Sequence, residues 1–301
     1  CFLAVMLFSS SSKGIDLIPK NTVAVGVISI GDMIDKADIK DLLKLDLDIV
    51  EDLLEMYDDS KKLVAEESDL ASTIMENPFD IGIDVFQDVF VYGVIEDIKN
   101  GEAYVCVSGG VDDSDRLLEI LEEVEDLSNN FDIDEEDNYN IAITKGNYEV
   151  MAFAWDDDKF LFISNPENYS WSKKEIKNLE NEVERLFSLK SKEKLTSIIS
   201  FNSFYNNKTD LCAWASIEGM DEDLLDDIVD EIDDERGIDL EVEDLQECSA
   251  SLFYNFGDGE VSMKAGLYTS DGIKDLIEEE TNISTSEFSY ELTMKFDDSG
   301  D

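Results

Sequence analysis

Carboxylates are the only side chains dense enough in this 301-residue chain to suggest a chemical site. Asp132, Asp134 and Asp137 lie within the run NNFDIDEEDNYN. Calcium takes about six to eight oxygen ligands, often from alternating acidic positions of a loop. The run lacks the central glycine and terminal glutamate of the usual calcium loop. The three aspartates therefore predict part of a calcium site or, alternatively, a solvated acidic surface.

A second acidic concentration covers residues 219–247, where fifteen Asp or Glu accompany a single Arg. Along the helix predicted there, Asp223, Asp227, Asp230 and Asp234 share one polar face and repel one another. This pattern favours a solvated helix face over a binding site.

The whole chain is strongly acidic, with 74 Asp or Glu against 23 Lys or Arg and a formal net charge of −51. Nucleic acid is excluded as a partner, because phosphate binding requires clustered cations. Electrostatic docking on an anionic membrane is excluded for the same reason. Adaptation to salt explains such a surface most simply, and binding of divalent cations or of a basic partner are the alternatives.

The chain contains no histidine. Ser-His and Cys-His nucleophile pairs and the usual zinc and iron ligand sets are therefore excluded. Paired carboxylates could still hydrolyse an envelope polymer, and Trp155, Trp171 and Trp214 could line a sugar site or belong to the core. No phosphate loop or nucleophile elbow is present, so we predict a protein that is not an enzyme.

The lysines are concentrated around one predicted helix, Ser172–Phe187. Lys173, Lys174 and Lys177 lie at its start, and further cations follow up to Lys194. These lysines either pair with the protein's own carboxylates or form a docking patch for a partner.

The N-terminal run CFLAVMLF precedes four serines, as an apolar signal region precedes a small-residue cleavage zone. We therefore predict that residues 1–15 are the remnant of a secretory signal, with a buried strand or helix as the alternative. In an oxidising compartment Cys212 and Cys248 could pair, although free buried thiols are the simpler expectation.

Apolar periodicity divides the rest of the chain into helices and strands. An opening strand, Val23–Ile30, leads into a long helical region that ends at Asn77-Pro78. Gly109-Gly110 is expected to end a strand. The remaining predicted strands are Asp88–Ile95, Ala103–Val107, Tyr139–Thr144, Tyr148–Trp155, Lys159–Ser164, Leu211–Ile217, Ser249–Phe256, Glu260–Tyr268 and Glu287–Phe296, and the remaining helices are Ser114–Leu127, Ser172–Phe187, the acidic helix and Gly272–Glu280.

The strand-then-helix opening occurs twice, at Ile18–Leu43 and at Asp210–Val229. We therefore predict an α+β fold of antiparallel sheets flanked by helices, in two related strand–helix–meander units. The first unit would span residues 16–200 with its linking helix, and the second, which we expect to be truncated, residues 201–301.

Several phrases, in this order, carry a resemblance to a known family: IPKNTVAVGVISIGDMIDKADIKDLL, NPFDIGIDVFQDVFVYGVIED, TDLCAWASIEGM and LFYNFGDGEVSMKAGLYTSDGIKDLIEE. The chain resembles uncharacterised envelope lipoproteins of Bacteroidota, grouped as a domain-of-unknown-function family. The resemblance covers about residues 18–296 and implies an exported, often lipid-anchored protein with mixed α and β structure.

The sequence therefore predicts a non-catalytic exported protein of the periplasm or cell surface that binds or scaffolds an envelope protein or a small ligand. It contacts the membrane only through a lipid anchor, if at all. No cofactor is expected, except that calcium would be bound if the protein were instead a divalent-cation-binding protein that uses its acidic runs. A carboxylate-based hydrolase is the other alternative.

Overall fold

The computed structural model describes residues 12–36, 81–97, 102–128, 131–136, 138–144, 150–165, 173–216, 225–226, 229–230, 241–246, 248–257, 260–281 and 287–295. The predicted helical region after Lys36, most of the acidic helix and the signal remnant lie outside these residues.

A single antiparallel sheet of twelve strands dominates the described chain. Its strands lie side by side in the order β12-β11-β10-β9-β1-β3-β4-β8-β7-β6-β5, and β2 pairs with β4 beside this path. The bounds are β1 Ala24–Ile28, β2 Ile83–Asp84, β3 Val89–Asp97, β4 Glu102–Val111, β5 Phe131–Glu135, β6 Asn140–Thr144, β7 Met151–Trp155, β8 Lys159–Ser164, β9 Leu211–Ser216, β10 Ser249–Gly257, β11 Glu260–Tyr268 and β12 Glu287–Lys295.

The prediction of an α+β fold with separate antiparallel sheets flanked by helices, in two strand–helix–meander units, is wrong. The first strand of the chain's first half, β1, lies between β3 and β9. Val25 is opposite Tyr92 on one side and Trp214 on the other. The strands of both halves therefore share one hydrogen-bonded sheet, because pairing β1 with β9 satisfies edges that two separate sheets would leave open. The division of the chain at residue 200 stays a prediction.

One face of the sheet, here named the core face, carries the main hydrophobic core. Across the central strands it presents Val25, Phe90, Cys106, Ile163 and Trp214, each at most 2% exposed. These positions fall on one side because strand side chains alternate and the register aligns them. The opposite face of the same strands mixes glycine and alanine with larger apolar residues, and Val91, Val105 and Leu211 are partly exposed there.

Helices cover parts of both faces. Leu117 of α2 packs with Trp155 and Phe160 on the opposite face. On the core face, α3 contributes Leu179, Val183 and Leu186, and α4 contributes Phe201 and Phe204. The bounds are α1 Ile30–Lys36, α2 Ser114–Ser128, α3 Lys173–Phe187, α4 Ile199–Tyr205, α5 Val242–Gln246 and α6 Asp271–Thr281, with 3-10 helices at Lys13–Leu17, Ser191–Glu193 and Leu195–Ser197.

The predicted strands in the described residues are confirmed to within a few residues, as are the helices now named α2, α3 and α6. The expected strand end at Gly109-Gly110 is wrong, because β4 continues to Val111. Glycine serves close packing there: a Cβ on Gly109 would lie 2.6 Å from the Phe160 ring, and one on Gly14 would lie 2.6 Å from the Gly109 backbone.

The cysteines Cys106, Cys212 and Cys248 are free thiols. Cys212 lies opposite Phe253, five residues along β10 from Cys248. That offset is about 16 Å, whereas a disulfide requires Cα atoms within about 7 Å. Burial raises the pKa of the Cys106 and Cys212 thiols, which keeps them protonated.

Among the described helices, none is both long and apolar enough to cross a membrane.

Candidate functional site

A groove with a volume of about 1040 Å³ lies between α4 and the core face of strands β9 to β12. Helix α4 lines one side through Ser200, Ser203 and Phe204, and the sheet lines the other. The groove is possible because α4 packs over β9 and β10 but does not extend over β11 and β12, where the core face carries Ser262 and Ser289.

Hydroxyl and amide side chains make up about half of the described residues that line this groove. Each hydroxyl or amide side chain can both donate and accept a hydrogen bond. In the register, the core-face positions of β10, β11 and β12 follow one another across the sheet, so that Ser251 is opposite Gly266, which is opposite Ser289. The serine, threonine and asparagine residues are Ser200, Ser203, Asn207, Thr209, Ser249, Ser251, Asn255, Ser262 and Ser289, and Tyr268 adds a phenol hydroxyl.

Aromatic side chains form the apolar part of the groove. Trp214 lies edge-on to Phe201, with ring centroids 5.4 Å apart. Phe204 packs against Phe253 at 5.3 Å. These contacts attach α4 to the sheet and give the groove an apolar floor beside its hydroxyl groups.

Two polar atoms at the groove have unused hydrogen-bonding capacity. Within the part of the chain that the structure describes, four buried side-chain atoms lack a partner, and two of them, Trp214 Nε1 and Thr209 Oγ1, belong to residues that line the groove. Trp214 itself is 2% exposed. Since a buried unsatisfied polar atom costs about 1–3 kcal/mol, a ligand that satisfied either atom would bind more tightly for it.

A buried ionic cluster around Asp88 holds α4 in place. Tyr205, the last residue of α4, donates a hydrogen bond of 2.6 Å to Asp88 Oδ2. Lys208 Nζ lies 2.8 Å from Asp88 Oδ1, which also accepts from Ser29 Oγ at 2.8 Å. Burial and the hydrogen bond to Asp88 raise the pKa of Tyr205, so its hydroxyl stays protonated and remains a donor.

A second ionic cluster adjoins the groove at Asn255. Asp210 is fully buried, and its carboxylate accepts from Lys36 Nζ at 2.7 Å and from the Phe256 backbone at 2.6 Å. Lys36 also donates to the side chain of Asn255, which lines the groove, at 2.7 Å. Helix α1 is thereby tied to the start of β9 and the end of β10.

The groove lining carries one acid and one base among the described residues, Glu291 and Lys264. They are opposite each other in the β11–β12 register, so their charges offset locally. This local neutrality contrasts with a chain of net charge −51. The lining therefore suits an uncharged polar ligand better than a metal ion or a polyanion.

Comparison with known proteins gives one family. Its model, described as a domain of unknown function (DUF4836), matches residues 15–293. The chain belongs to the DUF4836 family. The resemblance to a domain-of-unknown-function family is thereby confirmed, whereas the Bacteroidota origin and lipoprotein character stay predictions. No curated protein and no solved structure matches the chain.

In this DUF4836 protein, Asp132 and Asp134 lie exposed on β5, at the sheet edge far from the groove. Asp137 lies outside the described residues. The sequence suggested a loop, but the first two aspartates are on a strand. No group of three acidic, Cys or His side chains placed to hold a metal occurs among the described residues. The calcium site stays a prediction.

The three lysines predicted to bind a partner, Lys173, Lys174 and Lys177, are exposed on α3. Beyond the other end of α3 is a cleft of about 710 Å³ lined by Lys20, Arg185, Lys190 and Lys192. Cations therefore accompany α3 along its length, separate from the groove. Their role in binding stays a prediction.

The sequence did not indicate the groove as a site. The sequence predicted Trp214 as a residue of a sugar site or of the core. The structure shows it buried in the core and also lining the groove. Trp155 is buried beneath α2, and Trp171 lies outside the described residues. The available signal was the pair of serines at alternate positions of β10, Ser249 and Ser251, which puts two hydroxyl groups on one face of the strand.

Proposed function

We propose that the protein is a non-catalytic, exported envelope protein that binds a neutral, hydroxyl-rich ligand of the oligosaccharide class in the groove beneath α4. The observation that carries this proposal is a groove lined with hydroxyls, amides and aromatic rings in a chain that is otherwise densely acidic.

The chemistry of the lining supports this ligand class. Sugar hydroxyls donate and accept, as do the serine, threonine and asparagine side chains around them. The C–H faces of a sugar are apolar and suit aromatic surfaces such as Phe204, Phe253 and Trp214. A volume of about 1040 Å³ lies at the upper end of small-molecule sites and leaves room for several sugar units.

Two observations support binding without catalysis, and one supports export. Glycoside hydrolysis uses a pair of carboxylates, and Glu291 is the single carboxylate among the described groove residues. The chain also lacks histidine, the commonest general base. The apolar N-terminal run followed by serines supports export.

Binding to an array of neutral, acidic and sulfated oligosaccharides tests the proposal. We expect binding to neutral glycans, because the net charge of −51 repels anionic ones. The variant Ser262→Phe fills the groove and should weaken binding by about tenfold or more.

Val261→Phe is the matched control, since it adds the same ring to the opposite face of the same strand. It should leave affinity within about twofold. An array with no neutral glycan bound, or equal losses in the two variants, would contradict the proposed site.

A second candidate function is docking of an acidic protein partner on α3. The exposure of Lys173, Lys174 and Lys177 supports it, and so does the neighbouring basic cleft. In an acidic chain these cations form the surface best suited to such a partner.

Affinity purification from cross-linked native envelopes tests this second candidate. Changing Lys173, Lys174 and Lys177 to Glu should abolish recovery of the partner. Reversing Lys13, Lys99 and Lys274, which lie outside residues 173–194 and change the net charge equally, should leave recovery intact. Loss of the partner in both triple variants would show a general charge effect and rule out docking on α3.

A further inference from the structure

Strand β12 forms one edge of the sheet. Its inner side pairs with β11 over nine residues without a bulge, and no described strand pairs with its outer side. An edge strand presents a row of unpaired backbone donors and acceptors, which is a template for another strand. Proteins that avoid such pairing place proline, a bulge, a very short strand or charged side chains at the edge. Strand β12 has nine residues and no proline or bulge, and its charged positions, 287, 291 and 295, all fall on one face.

The exposed side chains of β12 are also apolar on one face. Tyr290, Leu292 and Met294 alternate along the strand and are 59%, 39% and 47% exposed. Leu267 of the neighbouring strand β11 adds to the same exposed area at 44%. A long edge with an apolar face predicts association through backbone pairing and side-chain burial together.

The sequence of β12 is complementary to itself when read in the opposite direction. Antiparallel pairing centred on Glu291 places position 287, a glutamate, opposite position 295, a lysine, and does so twice by symmetry. Tyr290 then faces Leu292, and Ser289 faces Thr293. Opposite charges and apolar pairs directly across a strand pair are the stabilising combinations.

The single unfavourable pair in this register is Glu291 opposite its own copy. Each Glu291 already has Lys264 as its cross-strand neighbour on β11. The central pair is therefore two carboxylates with a lysine as cross-strand neighbour on either side, which offsets part of the repulsion.

We propose that β12 pairs antiparallel with β12 of a second copy of this chain, about a two-fold axis at Glu291, and so joins two sheets into one. Such an isologous contact closes on itself and produces a dimer, not a fibre. Because Ser289 and Glu291 line the groove, the two grooves lie next to each other across the axis. The proposal stands independently of the ligand, since it rests on strand register alone.

Sedimentation equilibrium of the whole chain tests the dimer. The net charge of −51 on each copy opposes association, so dimerisation should strengthen as sodium chloride rises from 0.05 to about 0.3 M. Lys295→Glu sets like charges opposite each other at both ends of the strand pair and should weaken dimerisation by about tenfold. Glu287→Lys should act similarly.

The triple variant Glu260→Lys, Glu287→Lys and Lys295→Glu exchanges the charges across the axis and also between β11 and β12, where position 260 is opposite position 295, and it should restore the wild-type dimer. Lys13→Glu, which changes the net charge as Lys295→Glu does and lies in the first 3-10 helix, should have little effect. Circular dichroism checks that each variant is folded. A wild-type monomer at all salt concentrations would overturn the proposal, as would a dimer that neither single reversal weakens or that the exchange fails to restore.

Discussion

Replacing Asp88 with alanine should lower the free energy of unfolding by about 3 kcal/mol in urea denaturation. The Asp88 side chain is buried and accepts from Tyr205, Lys208 and Ser29. The truncation removes the acceptor of the half-buried Tyr205 hydroxyl and of the buried Ser29 hydroxyl, and it leaves Lys208, which is 28% exposed, without its nearest carboxylate. Because Tyr205 ends α4, the groove should also lose its ligand affinity.

Asp158→Ala is the control for Asp88→Ala. Asp158 pairs with Lys13 at 3.3 Å, but its side chain is 62% exposed, and exposed pairs contribute at most about 1 kcal/mol. Both variants remove one negative charge from a chain of net charge −51, so the relief of general repulsion is the same in each. Equal effects would show that the buried cluster does not hold the fold together.

Replacing Phe201 with alanine should destabilise the protein by about 3–5 kcal/mol. Phe201 is fully buried and packs against Trp214, Phe204 and Tyr205. Removing the ring leaves a cavity between α4 and the sheet, since the surrounding aromatic rings can collapse into it only partly. The helix that covers the groove should detach first, so amide exchange in residues 199–205 should accelerate before global unfolding.

Ile199→Ala provides the comparison within the same short helix. Ile199 is 83% exposed, so its truncation removes little buried area and should change stability by less than about 0.5 kcal/mol. If Phe201→Ala and Ile199→Ala lowered stability equally, α4 would not be attached to the sheet through its aromatic face.

The helices and strands could be predicted because each depends on the apolar spacing and turn residues of its own short segment. Alternating apolar residues and short turns defined β6, β7 and β8 and the β10–β11 hairpin, and helical spacing defined α2 and α3. The pairing of β1 with β9 could not be predicted, because these strands lie in opposite halves of the chain. Neither sequence specifies which strand it pairs with, so the sequence predicts two sheets where the structure has one.

The groove could not be predicted because its pattern runs against the usual alternation. In SASLF, the apolar positions Ala250 and Leu252 should face the core and the serines should face solvent. The structure reverses this, with Ser249 and Ser251 buried and Ala250 exposed. The sequence indicated the acidic runs instead, because composition can be read from a sequence. A groove between α4 and strands that lie far from it in the chain cannot.

Hydrogen–deuterium exchange of the protein with the neutral oligosaccharide that it binds most tightly tests the groove most directly. Ligand in the groove excludes water from α4 and from the core face of β10 and β11. We therefore expect slower exchange in residues 199–209 and 249–268, and unchanged exchange in residues 151–164 of β7 and β8. Protection confined to α3 or to β5, with none at α4, β10 or β11, would contradict the groove as the binding site.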